Sequence, residues 1–334
     1  SASRSFSITV QNDAPSNHFN TVLYTGNGGT QSITGLNFSP GLVWIKNRTG
    51  YFNLLFDSVR GVNKWLSSNG TYAEGNIASS LTSFDSNGFS LGTDPNGSDS
   101  GWNRNGEAHV AWNFKAGGPA VANTDGTINS QVSANNTLGF SIVSFTGTSS
   151  NVSVGHGLDA APELFIIKTL STDNWWAYTT AIDGTMDYLV LNSTVAAGNG
   201  TQSLPTSSVF YQNQTNASIA YCFTSKPGFS KVGSYTGNGS ASGPIVQTGF
   251  EPAMIIAKRT DAGSSNWFIW DNKRDLTNPN GTFLLPNNSN AESNLDAYGM
   301  NFLSNGFSVN SSDIQLNANG GAYLYLAIAA VKSK

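Results

Sequence analysis

Apolar residues in this chain recur at every second position in short runs. In His109–Phe114, Val110, Trp112 and Phe114 share one face of an extended segment. In Ser218–Phe223, Ile219, Tyr221 and Phe223 do the same, and Ser5–Val10 alternates likewise near the N-terminus. Between the runs the dipeptide Asn-Gly occurs ten times. Both residues tolerate positive φ, which two-residue hairpin turns require. Helical periodicity is scarce: Ser58–Ser67 contains Gly61 and no sustained apolar stripe, so it predicts one short turn at most. The pattern predicts an all-β protein.

The runs also repeat in a fixed order. Phe19–Gly28 (Phe-Asn-Thr-Val-Leu-Tyr-Thr-Gly-Asn-Gly) returns as Phe229–Gly239, with a weaker copy at Phe140–Gly147. From the threonine of each copy, 21 or 22 residues lead to a strand that ends in Lys46, Lys168 or Lys258. An aromatic-rich strand follows, at Tyr51–Phe56, Trp175–Tyr178 and Trp267–Trp270. Copies one and three close it on Asp-x-x-Arg, at Asp57/Arg60 and Asp271/Arg274, and share Ser-Asn-Gly-Phe-Ser at 86–90 and 304–308. Such order predicts three tandem β-sandwich-like repeats, 19–118, 138–228 and 229–334, behind an N-terminal strand in 1–18. Residues 119–137, rich in Gly, Ala, Asn, Thr and Ser, read as a linker or an edge-crossing segment. Units two and three abut at Lys226-Pro-Gly228 and are expected to share an interface, with unit one more loosely attached. The strand at Ser5–Val10 buries too little alone and is expected to pair with unit one, another copy of the chain or a larger assembly.

Composition narrows the function. Charged residues make up 11% of the 334, against about 25% in an ordinary domain. With a net charge of −4 and 16 Lys plus Arg spread thinly, no basic stripe exists to neutralise phosphates, so nucleic acid is not an expected partner. The longest apolar run, Tyr323–Val331, is half of a membrane span, so no membrane insertion is expected, and no secretory signal is visible at the N-terminus. A lone Cys222 excludes an internal disulfide, and His18, His109 and His156 lack metal-ligand spacing, so neither metal nor cofactor is expected.

Each polar motif has a chemical and a structural reading. Asp57/Arg60 and Asp271/Arg274 offer a base beside an anion clamp. Their duplication favours structural pins, each carboxylate on turn amides or on its own Arg. Lys46, Lys168 and Lys258 would be nucleophiles if buried, but read as the first exposed residue after a core strand, the ammonium in water or on a neighbouring carbonyl. Asp94–Asp99 starts like a calcium loop but lacks its Gly and Glu, and reads as a polar hairpin loop. No Gly-x-Ser-x-Gly elbow and no recurring carboxylate pair exists, and Cys222 reads as a small strand residue, so no catalytic residue is named. Trp44, Trp112 and Trp270 read as core. The adjacent Trp175 and Trp176 must face opposite ways, so one contacts unit three or a ligand. With Asp173, Asn174 and Tyr178 they form the best candidate for binding a glycan, whose hydroxyls suit amides and whose C–H faces suit a ring.

Tyr-Thr-Gly-Asn-Gly at 24–28 and 235–239, Ser-Asn-Gly-Phe-Ser, Val154-Gly-His-Gly-Leu158 and Ala220-Tyr-Cys-Phe223 followed by Gly228-Phe-Ser-Lys231 also carry a resemblance. From about Phe19 to Ala330 the chain resembles a repeated β domain in virion structural proteins of marine tailed bacteriophages, cyanophages among them, which has no catalytic motif to transfer. The resemblance implies a location on the virion surface without fixing the place on the particle, and with it the expected function is that of a non-enzymatic protein of tail-fibre or tail-tip type, adhering to a host-surface glycan. A capsid decoration or spike protein is the alternative it leaves open, and a polysaccharide depolymerase the lesser one. Other virion proteins and further copies of the chain are the implied partners.

Overall fold

The computed structural model describes residues 13–95, 101–148 and 151–329. The expected strand at Ser5–Val10 and residues 96–99 of the calcium-like run lie outside them.

Unit one contains β1 (Phe19–Thr25), β2 (Gln31–Thr34), β3 (Leu42–Asn47), β4 (Asn53–Asp57), β5 (Lys64–Ser67), β6 (Gly75–Asn76), β7 (Leu81–Asp85), β8 (Gly88–Leu91) and β9 (Ala108–Phe114). There follow β10 (Val121–Asn123), β11 (Ser130–Asn135), β12 (Phe140–Thr146), β13 (Val152–Gly155), β14 (Leu164–Thr169) and β15 (Trp175–Thr179). Unit two closes with β16 (Asp187–Val190), β17 (Gly198–Asn199), β18 (Val209–Gln212) and β19 (Ala217–Phe223). Unit three contains β20 (Ser230–Thr236), β21 (Ile245–Gln247), β22 (Pro252–Arg259), β23 (Trp267–Asp271), β24 (Thr282–Phe283) and β25 (Ser293–Asn294). It ends with β26 (Gly299–Leu303), β27 (Gly306–Asn310) and β28 (Ala322–Ala329). The only α-helix among the described residues is Ile314–Asn317, so the protein is all-β.

One strand order recurs. The main sheets run β1-β9-β3-β4, β12-β19-β14-β15 and β20-β28-β22-β23, each antiparallel throughout. A small sheet covers one face of each: β2-β8-β7, β13-β18 and β21-β27-β26. Unit two's small sheet has two strands where the others have three.

Residues 119–137 are not a linker. They carry β10 and β11, which extend unit two's main sheet beside β12, and Val132 of β11 is buried in that unit's core. Ladder hydrogen bonds and one apolar residue per turn of the pleat suffice to recruit so polar a stretch.

Each main sheet is buried on both faces. Along β9, β19 and β28 one face (Val110, Trp112, Phe114; Ile219, Tyr221, Phe223; Leu324, Leu326, Ile328) enters a single core common to all three units. The other face (Ala111; Ala220, Cys222; Tyr325, Ala327) enters a core private to its unit, beneath the small sheet. Unit one is therefore as firmly held as the others, since Trp44, Leu55 and Trp112 sit in the common core. The sandwiches pack back to back around that core. At its centre an apolar cavity of about 30 Å³ is lined from all three units, among others by Trp44, Ile166 and Ile256. That is about the share of one water and has no polar partner for it, so it is no ligand site.

Candidate functional site

The recurrent Asp-x-x-Arg motif closes β4 and β23. Asp57 accepts hydrogen bonds from the amides of Val59 (3.1 Å) and Arg60 (2.8 Å) and from Arg60 Nε (2.5 Å). Its fourth donor comes from unit two, the Tyr221 hydroxyl at 2.8 Å. Asp271 repeats the pattern with Lys273 N, Arg274 N and Arg274 Nε, and its fourth donor is Trp112 Nε1 of unit one at 3.0 Å. Neither carboxylate has any exposure. Their acceptor positions are occupied, which leaves no free carboxylate for proton transfer.

The register places Thr179 of unit two where units one and three have Asp57 and Asp271. The third unit's counterpart of Trp112 and Tyr221 is Leu326, which has no donor. Where the carboxylate is missing, its partner across the interface is apolar, so no buried polar group is orphaned.

Contacts between units run around a closed cycle. Glu74 N donates to Leu170 O (2.9 Å), Ala197 N to Thr260 O (2.8 Å) and Glu292 N to Arg48 O (2.8 Å), linking one to two, two to three and three to one. In the opposite sense Asn53 Nδ2 donates to Leu285 O (3.2 Å), Trp175 Nε1 to Ser67 O (2.8 Å) and Trp267 Nε1 to Val190 O (3.1 Å). Each unit thus touches both of the others, and the contacts close a ring of three.

The lysines depart from expectation, because none is exposed. Lys46, Lys168 and Lys258 are fully buried, since the neighbouring unit and the following turn cover the strand end. Each ammonium donates to backbone carbonyls: Lys46 to Gly50, Tyr51 and, in unit three, Ser289 (3.0, 2.6 and 3.2 Å). Lys168 donates to Thr169 and Ser171, and Lys258 to Arg259. Burial lowers Lys46 to about 7 and the other two to about 8. The carbonyls hold the proton that burial disfavours.

The histidines and the cysteine are likewise engaged by structure. His109 is stacked on Tyr24 (4.8 Å), meets Asn47 and Glu107 O, and is pushed down to about 4 by burial. His156 lies on Thr206 O and Leu158 N, and His18 between Asp13 and Asn135. Burial pushes the Cys222 thiol up to about 12, which leaves it unreactive. In the calcium-like run, Asp94 Oδ2 accepts from Gly101 N and Asn103 N.

The candidate binding cluster divides along β15. Trp175 has no exposure, is stacked near Tyr221 (6.4 Å) in the common core, and bonds unit one, not unit three. Asn174 is occupied in turn geometry, its Oδ1 accepting from Asn192 Nδ2 (3.0 Å). Asp173, Trp176 and Tyr178 do come together, in an open cleft of about 440 Å³ on the private-core side of unit two. Tyr188, Gln202, Asn213 and Gln214 line it too, with the backbone around Gly200. Trp176 and Tyr188 are half-buried, edge to face with ring centres 5.5 Å apart. Burial raises the Tyr178 phenol to about 12, so it remains a neutral hydroxyl.

A family model described as a domain of unknown function (DUF7483) matches residues 14–331. The chain belongs to this family. The DUF7483 match runs through all three units as one domain, in keeping with a core that none of them encloses alone. No curated protein matches the chain.

Within the DUF7483 domain, periodicity does not disclose Tyr188, Gln202, Asn213 and Gln214, because β16 and the loops on either side of β18 bring them to β15. A signal for the cleft did exist: unit two lacks Ser-Asn-Gly-Phe-Ser, the hairpin that joins β7 to β8 and β26 to β27 in the other units.

Proposed function

We propose that this chain is a non-enzymatic structural and adhesive protein on the outside of a tailed-bacteriophage particle, of the tail-fibre or tail-tip kind. The observation that carries the non-enzymatic part is the use made of the recurrent Asp-x-x-Arg groups. Every acceptor position described for Asp57 and Asp271 joins a turn, an arginine or a neighbouring unit. A scaffold duplicates such pins, whereas a reaction centre needs a group left free to exchange protons. The virion assignment rests on the sequence resemblance. The low-charge surface supports it, since neutral Asn, Ser and Thr hold water independently of salt.

The closed cycle of three units favours a second reading, a decoration or spike protein, because three units around one core make a cap better than a shaft. One experiment tests both. Gold-labelled antibodies against the chain should decorate the exterior of particles of a phage that encodes it, at the tail in the first case and over the capsid in the second. Particles without label overturn the proposal. Incubation with host envelope polysaccharide should release no reducing ends; their release would restore the depolymerase reading.

A further inference from the structure

The cleft of unit two exists because a strand is missing. In unit one, the β-strand face occupied by Leu54, Phe56 and Trp65 is roofed by β7, and all three side chains are buried. In unit three the matching Phe268, Trp270 and Phe283 are buried beneath β26 and Tyr298, which stacks on Phe268 at 5.5 Å. The register makes Trp176, Tyr178 and Tyr188 their counterparts in unit two. There the small sheet stops at β18, and residues 200–208 take the place of a third strand. Two aromatic rings that a roof covers elsewhere are left open to solvent.

What surrounds them is polar and almost uncharged. Asp173 is the single acidic residue among the lining residues, beside Gln202, Asn213 and Gln214. No Lys or Arg lines the cleft, so phosphate, sulfate and carboxylate groups find no counter-ion, and Asp173 repels them. A second cleft of about 520 Å³, lined by Thr185, Met186 and Ser203, continues the first across Asn199, Gly200 and Gln202. Each is of ordinary size for a ligand site, and their continuity suits a chain of units better than a compact molecule.

Gln202 stands at the junction. It is only 8% exposed, lines both clefts, and its Oε1 is buried without a hydrogen-bond partner. An amide oxygen removed from water and left unpaired is costly, and turning the Gln202 amide towards a hydroxyl in the cleft relieves that cost. Half-buried rings offer flat apolar surfaces to C–H groups, and the amides, the phenol and the carboxylate offer hydrogen bonds to hydroxyls.

We infer that the Trp176–Tyr188 cleft of unit two binds an uncharged oligosaccharide, one sugar ring on Trp176 and a hydroxyl donating to Gln202 Oε1. This deepens the adhesive part of the proposed function and rests on it. Units one and three supply the core and the cycle; unit two has given up its roof to become the recognition unit.

The test uses the full chain. Fluorescently labelled protein is applied to an array of uncharged glucan, galactan and mannan oligosaccharides beside sulfated and uronate-bearing ones. The best uncharged hexasaccharide is then titrated by calorimetry. Binding to uncharged members alone is expected, weakened about tenfold or more by Trp176→Ala and by Gln202→Ala, one decade corresponding to a single well-made contact. Trp176 also touches the private core, so Gln214→Ala, at the half-exposed rim, is measured as well and is expected to weaken binding with unchanged melting. The inference is overturned if no uncharged oligosaccharide binds, if sulfated members bind as well, or if folded variants bind like the parent. Antibody labelling of particles reads the virion assignment separately. Labelled particles without saccharide binding sink only the cleft, and binding without labelled particles sinks only the virion.

Discussion

Asp57 takes four donors on one carboxylate, three from its own turn and one from the next unit. Asp57→Ala takes from the buried Arg60 guanidinium its closest carboxylate, leaving it Glu74 and Leu55 O, and orphans the turn amides, and should lower stability by about 1–3 kcal/mol. Tyr221→Phe removes only the fourth donor and should cost roughly 0.5–1.5 kcal/mol. Urea melts of the two variants check this order, and equal losses would mean that the carboxylate serves Tyr221 alone. The buried lysines set a pH dependence. Their ordinary value is 10.5, while burial holds Lys46 near 7 and Lys168 and Lys258 near 8 in the folded chain. Between those values and 10.5 the unfolded chain binds more protons, so stability rises with pH across that window and is lost again as pH falls through the folded values. Above 10 the buried Tyr24, Tyr221 and Tyr235, raised by burial, keep protons that unfolded tyrosines release, and stability falls. The melting temperature should therefore peak between roughly pH 9 and 10. A steady decline from pH 7 upward would contradict the burial of the lysines. Sequence periodicity placed all three at strand ends but had no means of showing that a neighbouring unit lies over them.

The element that distinguishes the units is the hairpin encoded by Ser-Asn-Gly-Phe-Ser. Gly88 and Gly306 open its second strand with φ of 152° and 157°, and a Cβ there would lie 1.8 Å from Ile33 O and 2.0 Å from Val246 O. Only glycine lets β8 and β27 approach β2 and β21 so closely. Gly88→Ala should open that sheet and destabilise the fold by at least ~1–3 kcal/mol, the usual penalty of overpacking. Hydrogen exchange should locate the loss in β2, β7 and β8, and protection unchanged there would show that the close approach is dispensable. The same motif made the difference of unit two legible in advance as an absence. That its loss uncovers Trp176 and Tyr188 follows only from the sheet order.

At the scale of the molecule, the common core joins sandwiches that alternation had described one at a time. A chain of 334 residues ordinarily melts in stages. Here each unit leaves one face of its main sheet in the shared core, so removing any one exposes Trp, Phe and Leu from the other two. Calorimetry should give one transition with calorimetric and van't Hoff enthalpies in agreement. Resolved transitions, or a protease-resistant fragment covering 19–118 alone, would show that unit one is independent after all.

Local pattern by itself determined the all-β class, the strands that carry Val110, Ile219 and their alternating neighbours, and the recurrence of Asp-x-x-Arg. These follow from backbone geometry and turn chemistry, which act over a few residues. It also marked Trp175 and Trp176 as facing opposite ways. Which of them is buried, which unit receives the buried one, and that 119–137 joins a sheet were decided by tertiary structure. A period of two separates the faces of a strand without saying what lies against either, and here both faces are covered except at the cleft of unit two, one by the unit's own small sheet and the other by its two neighbours.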